Sequence, residues 1–328
     1  MASQRLYGGL AAELGRDLEY TVTGKLIVAE SETELAYIEE LCAGQRAAGA
    51  PVEIVSAARC RELNDLLEAR VLGGLYCPTD AQANPFLVTQ AFADAARERG
   101  VRIVTHTAVQ AIETAGNRVS RVVTSNGELS ADWVVNAAGA HAAAIGKMLG
   151  VVHDVRPWRG QLVVLEAAEN LPAVGVSGAS QMLSKHAPVD PGAGSAAPKA
   201  ALYYSRRPFS GTVLLGSTYE FAGYDVRTTR EGVAAICRCT ARAMPRLAKH
   251  NAVRSWAGLR PYSPSGPILG RAGGPDGYVV ATGHGGDGMA LAPITGLYLA
   301  ELIARDGKDC ELSAFLGGLE PAAACHAA

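Results

Sequence analysis

Hydrophobic and polar residues follow two periods along this chain, and short apolar runs are separated by segments of helical spacing. The β-branched stretch 18–29 predicts a pair of strands. Ser31 and Glu34 then form a capping box, and apolar residues recur at helical spacing in the segment that follows. Residues 71–76 predict a further strand. Asn84 and Pro85 predict the start of a second helix, because Asn caps helices and Pro fits their first position.

The pattern after this second helix, which is predicted to end at Gly100, consists of short apolar runs. We expect strands at 101–105, 109–112, 119–124 and 133–138. The run from Trp133 is the most apolar of them and predicts a buried strand. This alternation favours a sheet with helices on its faces, which is a mixed α/β fold.

The character of the chain changes after Gly150, where a second domain is predicted. Half-buried antiparallel strands are expected at 161–165, 201–205 and 212–216, with one helix over about 229–243. Segment 187–199 contains small residues, Gly and Pro, which is typical of a solvated loop and less often of a lid. Residues 278–282 predict a buried strand, followed by a glycine-rich turn and a helix to about Arg305. The tail after Gly318 is expected to fray.

Composition excludes several classes of protein. The chain has 328 residues, 48% of them hydrophobic and 19% charged, so it can bury a large core and is not a disordered protein. The formal net charge is −2 and the basic residues are scattered, which argues against a nucleic-acid surface. No apolar stretch reaches the roughly 20 residues of a membrane span, and no secretory signal is recognised, so a cytoplasmic protein is expected. Seven cysteines without a CxxC pair predict reduced thiols and no metal site.

The turn 283–288 has four glycines in six residues between a predicted strand and a predicted helix. Bare amides at a helix N-terminus can stabilise a phosphate or a ring oxygen that gains negative charge. A turn that only lets the helix pack explains the glycines equally well. Gly139 follows the strand from Trp133 in the same way, which is a weak signal because many strand-to-helix connections look alike.

Five motifs occur in one order along the chain, and together they resemble the D-amino-acid-oxidase superfamily of flavoproteins. They are the stretches 134–140 (VVNAAGA), 159–162 (RGQL), 256–262 (WAGLRPY), 267–270 (PILG) and 281–297 (ATGH to ITG). The resemblance covers about residues 5–315. Members of this superfamily include glycine oxidase, the β subunit of sarcosine oxidase, and FAD subunits of proline, hydroxyproline and opine dehydrogenases.

The resemblance implies a Rossmann-like FAD-binding domain and an antiparallel-sheet substrate domain. The FAD-binding domain would comprise 1–17, 78–150 and 266–328, and the substrate domain 18–77 and 151–265. Members begin with a strand, a GxGxxG turn and a helix that hold the FAD pyrophosphate, and the start of this chain has no such unit. We therefore expect an N-terminal truncation, whether from a late gene start, a natural loss or a second chain that supplies the unit. Because the missing strand is central, its neighbours would lose ladder partners and expose apolar surface.

The resemblance also implies site residues. The cofactor contacts would be Val109 at the adenine, Ala138, Gly139 and Ala140 along the pyrophosphate and ribityl path, Gly258, and Gly283, His284, Gly285, Gly286, Asp287, Gly288 and Met289 at the isoalloxazine ring. Arg260 would hold the substrate carboxylate through its forked donors, with an ion pair as the alternative explanation. Tyr204 would donate to the same carboxylate, although Tyr203 is an adjacent candidate and a core tyrosine is equally compatible. His284 is assigned to flavin packing and not to a general base. His141 and Ser265 depart from the residues common at their positions.

The predicted function is FAD-dependent oxidation of the C–N bond of a small amino acid or secondary amine by hydride transfer. Small amino acids or amines are the expected substrates, and other subunits of a heteromeric dehydrogenase are possible partners. The alternative is a non-catalytic remnant or interaction subunit that no longer binds FAD. Hydrolysis by a Ser–His pair has no G-x-S-x-G motif to support it.

Overall fold

The computed structural model describes residues 2–186 and 198–308, and it contains both helices and sheets. The α-helices in this part of the chain are α1 Ala2–Glu13, α2 Glu32–Ala47, α3 Ala57–Leu63, α4 Pro85–Glu98, α5 Ala142–Lys147, α6 Ala179–His186, α7 Arg230–Ala243 and α8 Gly288–Ala304. The predicted mixed α/β class is confirmed. The segment 187–197, most of the predicted loop, and the tail after Lys308 lie outside the described residues.

The strands form one large sheet and three small ones. They are β1 Thr21–Val22, β2 Lys25–Ala29, β3 Glu53–Ser56, β4 Gly73–Cys77, β5 Ala81–Gln82, β6 Val109–Ala115, β7 Arg118–Thr124, β8 Gly127–Ser130, β9 Val134–Asn136, β10 Arg156–Leu165, β11 Gly175–Gly178, β12 Lys199–Arg206, β13 Val213–Tyr219, β14 Ala252–Tyr262, β15 Ile268–Gly270 and β16 Tyr278–Thr282. The short pair β1–β5 is antiparallel, and β6, β7 and β8 form an antiparallel meander.

The large sheet has eight strands in the order β14-β10-β13-β12-β11-β2-β4-β3. All neighbours are antiparallel except β11 and β2, which are parallel. Its strands come from residues 25–77 and 156–262, inside the two ranges predicted for the substrate domain. One face packs against α7, where Val163, Leu215 and Ile236 share a core with at most 2% of each residue exposed. On the other face, Ile27 and Leu75 pack against Ile38 of α2, while Trp158 and Arg260 lie toward the β14 side of the sheet.

The small sheet β15-β16-β9 carries the predicted buried strands. β16 is parallel to β9, with Tyr278 opposite Val134 and Val280 opposite Asn136. Val279 packs against α8, whereas Tyr278 and Val280 pack toward the β6–β7 hairpin. Because both faces are covered, a continuous apolar sequence is favoured in β16.

The predicted strand at 101–105 is wrong for this structure. The segment follows α4 and pairs with no strand of the described residues. Val101, Ile103 and Val104 are between 42% and 53% exposed, although all three are apolar. Strand propensity is satisfied only when a neighbouring strand supplies hydrogen bonds, and no described strand does so here.

The predicted helix starts are confirmed. The Ser31 hydroxyl accepts a hydrogen bond from the Glu34 amide, and the Asn84 side chain accepts from the amides of Phe86 and Leu87. Thr229 caps α7 in the same way. Within the described residues, five cysteines are present as free thiols. The described helices include none with the length and apolar character needed to cross a bilayer.

Candidate flavin and substrate site

Two turns meet at one edge of the small sheet. Because β9 and β16 are parallel, their carboxyl ends lie at the same edge, and the chain turns at Gly139 after one and at Gly283 after the other. The Thr282 hydroxyl donates to the Gly139 carbonyl at 2.9 Å and ties the two turns together. The structure therefore brings the predicted residues 138–140 next to the predicted residues 283–288.

The turn after β9 is shaped by Asn136, a buried polar residue in an apolar strand. Its side-chain oxygen accepts from the Ala138 amide at 3.3 Å, and its nitrogen donates to the Ala142 carbonyl at 2.9 Å. Gly139 has a φ of 56°, which L-residues rarely adopt, and a Cβ there would meet no heavy atom within 4 Å. The turn thus leaves open space beside its backbone.

The glycine-rich turn combines a packing role with open space. At Gly283, with φ 77°, a Cβ would lie 2.9 Å from the Gly266 carbonyl oxygen, so glycine is required for packing. At Gly285, with φ 56°, a Cβ would meet nothing within 4 Å. The packing explanation therefore holds at Gly283, and Gly285 leaves room beside its backbone for a ligand.

The helix α8 begins at the end of this turn. Asp287 is its N-cap residue and makes no capping hydrogen bond through its side chain. The first amides of a 17-residue helix carry partial positive charge, which favours an anionic or electron-rich ligand atom. The Met289 carbonyl accepts from the Tyr7 hydroxyl at 2.7 Å, which fixes the start of α8 against α1.

His284 lies inside the turn as a neutral imidazole. Burial lowers its pKa, and the nearby Asp287 carboxylate acts in the opposite direction. Its Nε2 lies 3.2 Å from the Thr295 hydroxyl on α8. These contacts fit a packing role.

Arg260 reaches the glycine-rich turn because β14 ends there. The Gly285 amide donates to the Pro261 carbonyl at 3.0 Å, and Tyr262 forms an isolated bridge with His284. The Arg260 guanidinium donates to the Thr218 carbonyl at 3.2 Å and lies 4.9 Å from the centroid of the Tyr219 ring. Across residues 2–186 and 198–308, no carboxylate forms a salt bridge with it.

Arg260 is half-buried. Burial lowers its pKa, while Tyr219 and the Asp287 carboxylate act to raise it. An arginine remains charged under these conditions, because its intrinsic pKa is so high. A half-buried, forked cation without a carboxylate partner in the described residues can bind the carboxylate of a ligand.

The structure separates Tyr203 from Tyr204. Tyr204 is fully buried in the core under α7, and its hydroxyl donates to the Pro172 carbonyl at 2.7 Å. Cross-strand pairing places Tyr204 on the face of Val163, and Arg260 on the opposite face with Trp158. The assignment of Tyr204 to the substrate is therefore corrected, because the hydroxyl serves the core. Tyr203 lies on the Arg260 face and is only partly buried.

A cavity of about 330 Å³ borders the same turn from the side of β2 and β4. Its wall includes Asp287 of the turn, and the Lys25 ammonium lies 6.0 Å from the centroid of the Tyr203 ring. The remaining lining is mostly apolar and comes from Ile27, Tyr37, Leu41, Gln45, Leu75, Cys77, Asp80 and Met182. This volume is large enough for the side chain of a small amino acid.

The remaining predicted contacts are distributed around the site. Ala140 is buried, and Gly258 lies on β14 with open space where a Cβ would be. Val109 begins β6 and packs against the core that contains Ile112 and Tyr278, and the proposed adenine contact stays a prediction. His141 stacks on Tyr224, with ring centroids 4.6 Å apart. The described residues contain no cluster of three metal-ligating side chains.

The residues present fit the ring end of a flavin. At Gly139, Gly258 and Gly285 there is open space beside the backbone, which the side chain of any other residue type would occupy. The partial positive charge at the start of α8 favours an electron-rich ring edge. Sequence reasoning missed Asn136, which shapes the turn after β9, and Thr218, whose carbonyl accepts from Arg260. A polar residue within the apolar run 134–138 was the available signal for Asn136, whereas Thr218 gave no local signal.

The comparisons with known proteins define the class. The family model of FAD dependent oxidoreductases (DAO) matches residues 1–302, so the chain belongs to this family. The predicted family, fold and FAD cofactor are confirmed, and the chain is an FAD-dependent oxidoreductase.

Individual relatives cover most or all of the chain. Hydrogen cyanide synthase subunit HcnC of Pseudomonas aeruginosa is 30% identical over 338 residues, which span 100% of this chain and 76% of that protein. Glycine oxidase of Geobacillus kaustophilus is 29% identical over 96% of this chain and 79% of its own length. The crystal structure of glycine oxidase from Geobacillus kaustophilus superposes with a TM-score of 0.82 at 27% identity, covering 96% of this chain and 80% of the other.

Proposed function

We propose that this chain oxidises the C–N bond of a small amino acid or secondary amine that carries a carboxylate. The observation that carries the proposal is Arg260, a half-buried guanidinium beside the glycine-rich turn with no carboxylate partner in the described residues. FAD, when bound, would accept the two electrons as a hydride. The names of the relatives, which include glycine oxidase and D-amino acid dehydrogenase, support this substrate class.

Arg260 would bind and orient the substrate. Two parallel N–H donors match the two oxygens of a carboxylate, and partial burial strengthens this charge-assisted pair. Holding the carboxylate would direct the adjacent α-carbon toward the turn 283–288. Orientation of this kind contributes a large share of the rate in enzymes.

The proton on the substrate amine need not pass to a residue of this chain. His284 is held neutral by burial and bonded to Thr295, so its role would be to pack against the cofactor ring. The amine can lose its proton to solvent before the hydride leaves, and no buried base is required.

The cavity beside Lys25 and Tyr203 would receive the rest of the substrate. Its apolar walls suit aliphatic groups, and Lys25, Asp80 and Asp287 place charges at its boundary. The candidate substrates differ in the groups beyond the carboxylate that this cavity would receive. They are glycine, sarcosine, proline, hydroxyproline, opines and D-amino acids. The similarity to a hydrogen cyanide synthase subunit further supports the proposal that this chain acts together with other subunits in a heteromeric complex.

The test compares Arg260→Lys with the unaltered full chain after addition of FAD. Lysine keeps the charge but loses the forked donors, so we expect the Kd of 2-hydroxyacetate to rise about tenfold or more while FAD affinity stays unchanged. Calorimetry measures both constants. Arg254→Lys makes the same change at an exposed position of β14 and should alter neither.

An unchanged Kd in Arg260→Lys, or equal losses of carboxylate and FAD affinity, would overturn the role of Arg260. Anaerobic addition of amino acids and amines should bleach the flavin absorbance of the unaltered chain. A chain that takes up no FAD, and so has no flavin absorbance to bleach, would favour the non-catalytic remnant or interaction subunit.

A further inference from the structure

The motif Arg159-Gly160-Gln161 in β10 has no role in the function described so far. It lies beside β14, where Gly160 pairs with Gly258 and Trp158 pairs with Arg260. Because side chains alternate along a strand, Arg159 and Gln161 point to one face of the sheet and Gly160 belongs to the other, the Arg260 face. The three residues of the motif are therefore divided between the two faces of the sheet.

A buried polar cluster occupies the first face. The Arg159 guanidinium lies 2.7 Å from the Glu220 carboxylate, with 7% and 13% of the two side chains exposed. The other Glu220 oxygen accepts from the Gln161 amide at 2.7 Å. The Gln161 side chain also donates to the hydroxyl of Thr229, the cap of α7, and accepts from the Thr229 backbone N–H. The cluster is thus anchored to the helix that covers this face.

Glu220 is ionised within this cluster. Burial acts to raise its pKa, but hydrogen bonds from Arg159, Thr218 and Gln161 outweigh burial and keep the pKa below its ordinary value. A charged, fully bonded carboxylate fixes the groups that donate to it more firmly than a neutral one.

Thr218 connects the cluster to Arg260. Its hydroxyl donates to Glu220 at 2.6 Å and accepts from the backbone N–H of Gln161 at 3.0 Å. Its carbonyl accepts from the Arg260 guanidinium at 3.2 Å. Thr218 is fully buried in β13, and the bonds of its side chain add to the strand pairing that holds its carbonyl in place.

Gly160 gives Arg260 the space in which it lies. A Cβ at residue 160 would be 2.1 Å from Nη1 and 2.3 Å from both Cζ and Nη2 of Arg260. Any side chain at this position would displace the guanidinium from the place beside Gly160 that it now occupies.

We propose that Gly160 and the cluster of Arg159, Gln161, Thr218 and Glu220 position Arg260 for the substrate carboxylate. Gly160 provides the space, and the cluster holds the Thr218 carbonyl that orients the guanidinium. These are positioning residues that act through Arg260. The inference rests on the proposed role of Arg260 as the carboxylate anchor and adds the device that fixes its geometry.

The test uses two variants with matched controls in the full chain. Gly160→Ala removes the space, and Thr218→Val removes the hydroxyl at nearly constant volume. Thr218→Ser keeps the hydroxyl. Gly175→Ala places a methyl group in the same sheet, where its nearest neighbour would lie at an ordinary 3.6 Å.

With FAD added, we expect the Kd of 2-hydroxyacetate to rise about tenfold in Gly160→Ala and Thr218→Val, with FAD affinity unchanged and both controls near the unaltered chain. For amines that are oxidised, KM should rise more than kcat falls. Without FAD, phenylglyoxal should modify Arg260 faster in both variants, measured by peptide mass spectrometry, because the guanidinium is no longer held.

The outcomes separate the two proposals. If Arg260→Lys weakens carboxylate binding but Gly160→Ala and Thr218→Val do not, the positioning role is overturned and the anchor stands. If Arg260→Lys itself has no effect, the proposed function fails first. Should Gly160→Ala not fold, Thr218→Val with Thr218→Ser decides, and equal Kd values in that pair would overturn the inference.

Discussion

At the residue scale, a few buried polar side chains determine how the small sheet meets its neighbours. The Tyr278 hydroxyl, on a residue with 1% of its surface exposed, accepts from Asn136 at 2.7 Å and lies 2.9 Å from Nε2 of His153. Since the hydroxyl proton remains available, it can be donated to a neutral imidazole. The same Asn136 shapes the Gly139 turn, so this buried group links the core to the flavin site.

His153 should make stability depend on pH. Burial lowers its pKa, so the folded state holds it neutral while the unfolded chain binds a proton near pH 6.5. Stability is therefore complete above about pH 6.5 and falls as the pH drops below it. Thermal unfolding between about pH 7.5 and 5.5 should show a smaller loss of Tm in His153→Gln. Burial also lowers the pKa of His284, so part of the dependence of Tm on pH should remain in His153→Gln. A dependence equal to that of the unaltered chain would contradict the role of His153.

At the scale of helices and strands, local chemistry was predictable and pairing was not. The caps Ser31, Asn84 and Thr229 act on amides two or three residues away, so the sequence alone located three helix starts. The choice between Tyr203 and Tyr204 depended on the face of β12 that meets α7. The strand expected at 101–105 required a partner that the described residues lack.

The cap of α4 should contribute more to stability than the cap of α2. The Asn84 side chain accepts from two amides and donates to the Glu19 carboxylate at 3.0 Å, whereas Ser31 makes one capping bond of 3.3 Å. We expect Asn84→Ala to lower the free energy of unfolding by about 1–2 kcal/mol and Ser31→Ala by about 0.5 kcal/mol. Urea denaturation measures both. A larger loss of unfolding free energy in Ser31→Ala than in Asn84→Ala would show that the number of capping hydrogen bonds does not determine which cap stabilises more.

At the scale of the whole molecule, the site forms where two sheets meet. The small sheet supplies the turns at Gly139 and Gly283, and the large sheet supplies Arg260 at the end of β14. The motifs predicted the two turns and Arg260, because the properties of glycine and arginine that matter here belong to the residue type itself. The support of Arg260 by Thr218 and Glu220 joins strands about sixty residues apart in the chain, and local patterns do not encode such contacts.

The exposed apolar residues after α4 give a prediction about association. Ile103 is 42% exposed in a segment without a described strand partner, and Val135 on the edge strand β9 is equally exposed. Exposed apolar residues and unpaired strand edges both favour contact with other chains. Ile103→Glu should therefore reduce concentration-dependent self-association in sedimentation velocity, while the free energy of unfolding changes by no more than about 0.5 kcal/mol.

Ile112→Glu provides the contrast, because Ile112 is 6% exposed in the core between the β6–β7 hairpin and β16. Burying a carboxylate there should cost several kcal/mol, on the order of 3 or more, and expose more apolar surface. Loss of stability in Ile103→Glu comparable to that in Ile112→Glu would mean that segment 101–105 packs against the rest of the chain. Unchanged association in Ile103→Glu, at unchanged stability, would mean that the apolar segment 101–105 does not drive contact between chains.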